Sequence, residues 1–207
     1  MNQIGTIYCV GRNYVRHAEE LNNDVPESPL LFTKPSHSYT RANGADIYLP
    51  GDRGDVHYEA ELVLQIGKPY KKGIIVDEIV DQMAIGIDFT LRDIQSDLKK
   101  KGHPWLLAKG FPNSAVLSRF ITFPGVEECR KRSFSLTING KQVQKGNIQD
   151  LIFDFQTLLD YCASHVGLQQ GDLIFTGTPE GVGAVSNNDH FCLQWGEDNL
   201  GECTIKF

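Results

Sequence analysis

Short apolar stretches, separated by glycine, proline and charged residues, recur along the whole chain. Apolar and polar residues alternate over residues 58–66 and 134–138, and this period of two is typical of strands, whose successive side chains point to opposite faces. Asn139-Gly140 follows the second segment and favours a type I′ turn, so we expect the chain to return as a hairpin through Val143. Other short apolar runs predict strands at residues 6–10, 30–33, 46–49 and 173–176.

Helical periodicity is confined to fewer segments. The strongest covers residues 154–166, where apolar residues recur on one face and Gly167 ends the pattern. Shorter helical segments are predicted at 13–21 and 90–101, and a helical turn that passes into a strand is predicted at 80–88. Because short strands and Gly/Pro turns outnumber helices, the sequence predicts an α+β fold that is mainly β. A polar segment with two prolines predicts a loop at residues 22–29.

The bulk composition limits the classes of function. A length of 207 residues without a linker-like stretch suits one domain over residues 1–207. The formal net charge of −6 argues against nucleic acid and anionic membrane as partners. The sequence has neither a long apolar span nor a signal-peptide pattern, and its five cysteines are scattered. We therefore expect a cytoplasmic protein without a disulfide framework or a zinc site.

Three carboxylates are candidates for a metal site. Glu59 and Glu61 are two residues apart in a predicted strand and would project to the same face, where their charges repel unless a cation lies between them. Asp88 ends another apolar run and is a third candidate. All-oxygen ligation favours Mg²⁺, Mn²⁺ or Ca²⁺ over zinc. The alternatives are a solvated strand face for the glutamates and a helix N-cap for Asp88.

A possible base and several polar residues add to this set. His17 and Glu20 share one face of the predicted helix, and a carboxylate beside an imidazole suits the activation of water; the alternative is an exposed helical turn. Lys109 lies in a mostly apolar stretch. Further candidates for contacts with a substrate carboxylate or carbonyl are Arg12, Lys34, Gln95 and Thr178, the last in a glycine-rich segment over residues 177–183 that lacks the pattern of a phosphate loop and is alternatively a tight turn.

An ordered series of motifs then points to a family. The series is GRNYVRHAEE, LLFTKP, HYEAELVLQIGK, GIDFTLRDIQ, PWLLAKGF, INGKQVQKG and GDLIFTGTPEGVG. It resembles the fumarylacetoacetate hydrolase superfamily across residues 7–185. The histidine and glutamate of the first motif match the lid dyad of the small acylpyruvase/oxaloacetate decarboxylase branch. Departures from the usual pattern are His57, Leu91 and the tail over residues 194–207.

The resemblance implies a mixed β-roll or β-sandwich-like fold, a homodimer, and a Mg²⁺ or Mn²⁺ ion. It implies three metal ligands, which are Glu59, Glu61 and Asp88. It implies that His17 and Glu20 activate water and that Lys109 stabilises an oxyanion. The substrate-contacting positions that it implies are Gln95, Thr178 and Arg12.

The implied substrate is a small anionic β-dicarbonyl acid. The implied reaction is hydrolysis of a C–C bond in a 2,4-dioxo acid (an acylpyruvate), which gives pyruvate and a carboxylic acid. The same site would also serve decarboxylation of oxaloacetate, or tautomerisation or isomerisation of dioxo acids. A non-catalytic metal-binding module is the alternative from a different class.

Overall fold

The structure, a computed structural model, describes residues 4–20 and 24–207. The strands of these residues are β1 (Ile7–Gly11), β2 (Leu30–Lys34), β3 (Tyr39–Arg41), β4 (Asn43–Tyr48), β5 (Val56–Tyr58), β6 (Ala60–Ile66), β7 (Val80–Asp88), β8 (Thr90–Leu91), β9 (Ala115–Leu117), β10 (Ile121–Thr122), β11 (Phe134–Ile138), β12 (Lys141–Gly146), β13 (Leu173–Phe175), β14 (Gly183–Ala184), β15 (His190–Trp195) and β16 (Asp198–Lys206). The α-helices are α1 (Val15–Glu20), α2 (Val76–Ile79), α3 (Arg92–Lys100), α4 (Leu106–Lys109), α5 (Val126–Lys131) and α6 (Phe155–His165). Two short 3₁₀ turns cover Ser36–Ser38 and Ile148–Asp150.

The largest sheet contains strands from both ends of the chain. Its order is β2-β1-β13-β6-β7-β9-β3, and β10 pairs with β7 at one side. Strand β1 runs parallel to β13, with Cys9 opposite Phe175, while β6 and β7 form a long antiparallel pair. All seven residues of β6 are buried because both faces of this sheet are covered. Side chains of β6 and β7 therefore project from a well-packed backbone.

A second sheet has the order β12-β11-β15-β16-β4. The tail over residues 194–207 supplies all of β16, and β16 pairs in parallel with β4. The main core lies between the sheets and includes Phe89, Phe134, Phe191 and Trp195, each no more than 2% exposed. A third sheet of three short strands has the order β14-β5-β8.

The structure confirms the predicted α+β, mainly β class. The hairpin of β11 and β12 turns at Asn139 and Gly140, whose φ angles of 51° and 81° fit the predicted type I′ turn. Helix α6 matches the predicted helix, and the Asp154 carboxylate caps it by accepting a hydrogen bond from the Thr157 N–H at 2.9 Å. No helix of the described residues is long and apolar enough to cross a membrane.

Two local predictions need correction. The helical turn expected inside residues 80–88 lies earlier, as α2, and β7 occupies all of Val80–Asp88. The segment 90–101 begins as the short strand β8 before α3 starts at Arg92. Of the predicted helix 13–21 and loop 22–29, residues 21–23 lie outside the described residues, and residues 24–29 contain neither helix nor strand.

Candidate active site

Three acidic side chains lie close together near the start of β6 and the end of β7. Glu61 lies in β6, Asp88 is the last residue of β7, and Glu59 occupies the single-residue break between β5 and β6. The Asp88 N–H donates to the Glu59 carbonyl at 2.8 Å, so the backbone holds these two residues together. One carboxylate oxygen from each of the three lies within 4.8 Å of the others, and the residues are 0–6% exposed. The two alternatives for these residues are wrong, since the strand face is not solvated and the N-cap of α3 is Leu91.

Buried cations partly balance the acidic cluster. The Lys109 Nζ lies 2.7 Å from Glu59 Oε2 and 2.6 Å from Asp88 Oδ2. The Arg92 Nη2 lies 2.5 Å from Glu59 Oε1. The Lys34 Nζ lies 2.7 Å from Asp88 Oδ1 and also donates to the carbonyls of Phe89 and Lys109. Three buried oxygen atoms therefore hold Lys34 beneath the cluster, outside the cleft lining, where it cannot make the contact with a substrate carboxylate that the sequence suggested.

The three carboxylates differ in how well neighbouring cations neutralise their negative charge. Burial alone would raise the pKa of Glu59, but the charges of Lys109 and Arg92 outweigh burial and lower it. Burial, followed by the charges of Asp88 and Glu59, raises the pKa of Glu61 well above its usual value. Within residues 4–20 and 24–207, no cationic side chain lies within 4.0 Å of the Glu61 carboxylate, which accepts the Gly177 N–H at 2.6 Å. A buried carboxylate without a cation is costly.

This imbalance fits a divalent cation. Its ligands would be Glu59, Glu61 and Asp88, and their all-oxygen donor set suits Mg²⁺ or Mn²⁺. The cation would provide the charge that Glu61 lacks. Burial opposes the charged form of Lys109, but Asp88 and Glu59 outweigh burial and raise its pKa, so this ammonium stays protonated beside the site.

The predicted base lies on α1, next to the cluster. His17 is 4% exposed, and its Nδ1 lies 3.5 Å from Glu20 Oε2. Burial, the largest influence, lowers the pKa of His17, so its imidazole is neutral at pH 7. The Glu20 carboxylate also accepts the Gly181 N–H at 3.1 and 3.2 Å. The alternative of an exposed turn is wrong for His17, because α1 carries this side chain into the protein.

One cleft brings most of the predicted residues together. Eight of the nine site residues that the family resemblance implies line it, namely Arg12, His17, Glu59, Glu61, Asp88, Gln95, Lys109 and Thr178. Glu20 is the ninth and stands behind His17. The cleft is also lined by residues for which the sequence suggested no role, including Phe32, Arg92, Lys99 and Trp105.

Two of the expected substrate contacts already have protein partners. The Gln95 Oε1 accepts a hydrogen bond from Arg92 Nη1 at 2.8 Å, which leaves its amide N–H groups for a ligand. The Thr178 hydroxyl donates to the Ala60 carbonyl at 2.8 Å and accepts from Gln144 Nε2 at 2.9 Å. These two bonds make Thr178 a support for β6 at the wall of the cleft.

The glycine-rich segment 177–183 binds protein carboxylates. Its Gly177 and Gly181 N–H groups donate to Glu61 and Glu20, respectively, so this loop joins the acidic cluster to α1. Gly177 has a φ of 106°, and an added Cβ would lie 2.6 Å from the Asn13 Cβ, so a larger residue is excluded here. These two N–H groups therefore bind carboxylates of the protein itself.

Gln144 is a site-supporting residue that the sequence did not reveal. Its Oε1 accepts the Ala60 N–H at 2.9 Å, and its Nε2 donates to both Thr178 Oγ1 and the Pro179 carbonyl at 2.9 Å. It is 2% exposed. The only available signal was a polar residue in the returning strand of the hairpin, since the partners lie in distant segments.

The family assignment rests on nearly the whole chain. The family described as fumarylacetoacetate (FAA) hydrolase C-terminal matches residues 6–205. The chain belongs to the fumarylacetoacetate hydrolase family. This membership confirms the resemblance drawn from the ordered motifs, and it places the chain in a family of enzymes.

Relatives within the fumarylacetoacetate hydrolase family carry several activities in their names. The chain is 39% identical over 184 residues to "Oxaloacetate decarboxylase, mitochondrial" of Dictyostelium discoideum, across 86% of this chain and 83% of the relative. It is 35% identical over 202 residues to "Oxaloacetate tautomerase YcgM" of Escherichia coli strain K12, across 95% and 91%.

A solved structure of the family supports divalent-metal binding. Fumarylpyruvate hydrolase from Pseudomonas aeruginosa, in complex with Mn²⁺ and pyruvate, has a TM-score of 0.89 and 33% identity to this chain. The match covers 99% of this chain and 90% of that one. The fold is therefore that of the fumarylacetoacetate hydrolase family, and the buried acidic triad provides ligands of the kind that such an ion requires.

Proposed function

We propose that the protein is a Mg²⁺- or Mn²⁺-dependent hydrolase that cleaves a C–C bond of small acylpyruvates to give pyruvate and a carboxylic acid. One observation carries the proposal. A buried, neutral His17, backed by Glu20, lines the same cleft as the acidic triad of Glu59, Glu61 and Asp88. A base beside a metal centre is the combination that hydrolysis of a dioxo acid requires.

The metal and the base have separate tasks in this reaction. When bound, the divalent cation supplies a Lewis acid that stabilises negative charge on an enolate oxygen. His17 accepts a proton from water, and because its Nδ1 faces Glu20, the proton is accepted at Nε2. The water oxygen then bonds to the C4 carbonyl carbon and the C3–C4 bond breaks. The bonding electrons pass to the pyruvate enolate, and C3 takes the proton from His17.

Lys109 is placed to stabilise the charge that develops at C4. Two of its three N–H groups are used by Glu59 and Asp88, and the third is available to an oxyanion. Its raised pKa keeps it cationic, so it acts as a fixed positive charge and not as a base. The amide N–H groups of Gln95 and the guanidinium of Arg12 are further donors for the substrate on the cleft wall.

Oxaloacetate is the second candidate substrate. The names of the Dictyostelium and E. coli relatives favour it, since one is an oxaloacetate decarboxylase and the other an oxaloacetate tautomerase. Both reactions pass through the same enolate. Tautomerisation needs only transfer of a proton between C3 and the enol oxygen, for which His17 suffices, and decarboxylation needs no attack by water.

A direct assay separates these reactions. We would measure pyruvate release from acetylpyruvate and from oxaloacetate with Mg²⁺ and with EDTA, together with decay of the oxaloacetate enol in the same solution. Rapid, EDTA-sensitive release from acetylpyruvate is the expected result. Enol decay without pyruvate release from either acid would contradict hydrolysis and indicate a tautomerase. Inactivity in all assays would favour the alternative of a non-catalytic metal-binding module.

We also propose a cytoplasmic homodimer. The proposal comes from the sequence and its family resemblance. Light scattering on the purified protein tests the assembly, with twice the chain mass of 23.1 kDa as the expected value.

A further inference from the structure

A β-bulge in β12 turns one polar side chain into the protein. Gln144 lies opposite Leu136 of β11, but Gln142 lies opposite Thr137, so Val143 is the extra residue of a bulge. In a regular strand, Gln142 and Gln144 would share one face, because they are two residues apart. With the bulge between them, Gln142 is exposed and Gln144 is 2% exposed. Bulges of this kind are common beside active sites, where they redirect a side chain.

The buried Gln144 amide makes three hydrogen bonds whose directions are fixed. Its Oε1 accepts the Ala60 N–H, and its Nε2 donates to Thr178 Oγ1 and to the Pro179 carbonyl, each at 2.9 Å. A backbone N–H can only donate and a carbonyl can only accept, so these partners determine which end of the amide faces each segment. The oxygen and the nitrogen of this side chain therefore bind different parts of the chain.

The oxygen end of Gln144 binds the peptide between two of the proposed metal ligands. Ala60 separates Glu59 from Glu61, and its carbonyl accepts the Thr178 hydroxyl at 2.8 Å. Gln144 and Thr178 thus hold the N–H and the carbonyl of the same residue. Because the backbone of Ala60 sets the directions of the side chains on either side, the amide oxygen contributes to the geometry of the ligand pair.

The nitrogen end of Gln144 holds the glycine-rich segment against β12. Gly181 of this segment lies so close to β12 that an added Cβ would be 2.3 Å from the Val143 carbonyl oxygen. The Gly181 N–H donates to Glu20 at 3.1 Å, and Glu20 Oε2 lies 3.5 Å from His17 Nδ1. A shift of the glycine-rich segment would therefore be passed through Glu20 to His17.

We propose that Gln144 is a positioning residue with two separable tasks. Its oxygen orients the metal ligands of β6, and its amide N–H groups place the glycine-rich segment, which sets the position of Glu20 and His17 relative to the metal site. The proposal rests on the proposed function for the use of His17 as proton acceptor. Gln144 acts only through these neighbours, because it lies outside the cleft lining.

Two substitutions separate the two tasks. Gln144→Glu keeps an oxygen for the Ala60 N–H but loses at least one of the two donated bonds, because a carboxyl group has at most one O–H. Its kcat for acetylpyruvate hydrolysis should fall about 10- to 100-fold, as is usual for residues that orient a metal site, while its Kd for Mn²⁺ changes by less than about threefold. Gln144→Met removes all three bonds and should also weaken Mn²⁺ binding about 10- to 100-fold.

Gln142→Glu is the matched control, since it makes the same substitution at an exposed position of the same strand. It should keep the wild-type kcat and Kd. Calorimetric titration with Mn²⁺ and the pyruvate assay measure the two quantities, and urea denaturation shows whether each variant is folded. If Gln144→Met does not fold, Gln144→Asn takes its place, because an amide that is one methylene shorter cannot reach both β6 and the glycine-rich segment.

Two results would overturn the proposal. Proportional losses of kcat and Mn²⁺ affinity in Gln144→Glu would indicate a general loosening of the site and not two tasks. Wild-type kcat and Kd in Gln144→Met would show that the amide positions neither group.

Oxaloacetate separates a failure of this proposal from a failure of the proposed function. Decarboxylation needs no attack by water, so Gln144→Glu should keep the decarboxylation rate of the wild type while hydrolysis falls. An equal loss in both reactions would contradict the link from the amide N–H groups to His17. If the wild type hydrolyses no acylpyruvate, the proposed function fails, and the Mn²⁺ titration still decides on Gln144: a loss of affinity confined to Gln144→Met supports its role, and unchanged affinity overturns it.

Discussion

The buried base of the cleft and the wall formed by α1 are held in place by different kinds of contact. At the base, buried ion pairs of 2.5–2.7 Å join Glu59 and Asp88 to Lys34, Arg92 and Lys109. On the wall, the contacts of α1 to the glycine-rich segment are longer and more exposed. They are Glu20 to the Gly181 N–H at 3.1 Å and Arg16 to Glu180 at 3.3 Å, with the Arg16 side chain 80% exposed.

This difference separates two functions of the site. Moving a group at the base would leave a buried charge without its partner, which costs several kcal/mol. Exposed ion pairs such as that of Arg16 contribute about 0–1 kcal/mol, so α1 is held more weakly. We therefore expect the base to determine that the chemistry proceeds through an enolate and the wall to determine which reaction follows. Relatives of 33–39% identity with three different named activities agree with this view.

The largest effect is expected at the base. Glu61→Gln removes a buried carboxylate that faces the proposed cation, and both metal affinity and kcat/KM should fall by more than about 100-fold. Calorimetric titration with Mn²⁺ and the pyruvate assay measure the two quantities. Glu78→Gln, on the exposed side of α2, is the control. Wild-type metal affinity in Glu61→Gln would show that the acidic cluster is not the metal site.

The next effect is expected on the wall. His17→Ala should lower the rate of acylpyruvate hydrolysis by about 10²- to 10⁴-fold, because the base for water is lost, and should leave Mn²⁺ affinity unchanged. His190→Ala, at an exposed position of β15, should have no effect. A large loss of metal affinity in His17→Ala would contradict the proposed separation between the base of the cleft and its α1 wall. Full hydrolytic activity in this variant would exclude His17 as the proton acceptor.

A substitution of Lys34 tests how much the buried ion pairs at the base of the cleft contribute to the free energy of unfolding. Lys34→Met removes a fully buried ammonium from Asp88 and two carbonyls, so the free energy of unfolding should fall by about 3–5 kcal/mol. Urea denaturation at pH 7 measures the change, and Lys100→Met should change it by less than about 0.5 kcal/mol. An unfolding free energy equal to that of the wild type would mean that the buried ion pairs do not stabilise the base.

The pH dependence of kcat/KM should distinguish His17, on the α1 wall, from the other titratable groups of the cleft. Because burial lowers the pKa of His17 from 6.5, the neutral, active imidazole persists below pH 6.5, and activity should be level at neutral pH. Below the lowered pKa, His17 gains a proton, and kcat/KM should fall up to tenfold per pH unit. A fall that already begins above pH 7, or one that persists in the residual activity of His17→Ala, would assign the titration to another group.

The smallest effect is expected for the exposed contact. Arg16→Ala removes the ion pair with Glu180 and should change the unfolding free energy by less than about 1 kcal/mol and kcat by no more than a few fold. Thermal denaturation and the pyruvate assay measure both. A loss as large as that of His17→Ala would mean that α1 is held as firmly as the base.

Local signals in the sequence predicted what depends on neighbours along the chain. The type I′ hairpin follows from Asn139-Gly140, and the pairing of Glu59 with Glu61 follows from a spacing of two, although Glu59 lies in a break between strands. The interaction of Lys34 with Asp88 was out of reach, because it depends on strands 54 residues apart meeting through the fold. Gln144 was missed for the same reason.

The parallel pairing of β1 with β13, and of β4 with β16, has a consequence for folding during synthesis. Glu59, Glu61 and Asp88 leave the ribosome long before residues 173–206, which supply the four strands β13 to β16 and the N–H group that binds Glu61. Until then the nascent chain has incomplete sheets with open strand edges, a state that favours aggregation and chaperone binding. Since such long-range pairings also slow folding, we expect the metal centre to form in a late step, after the last strand has docked.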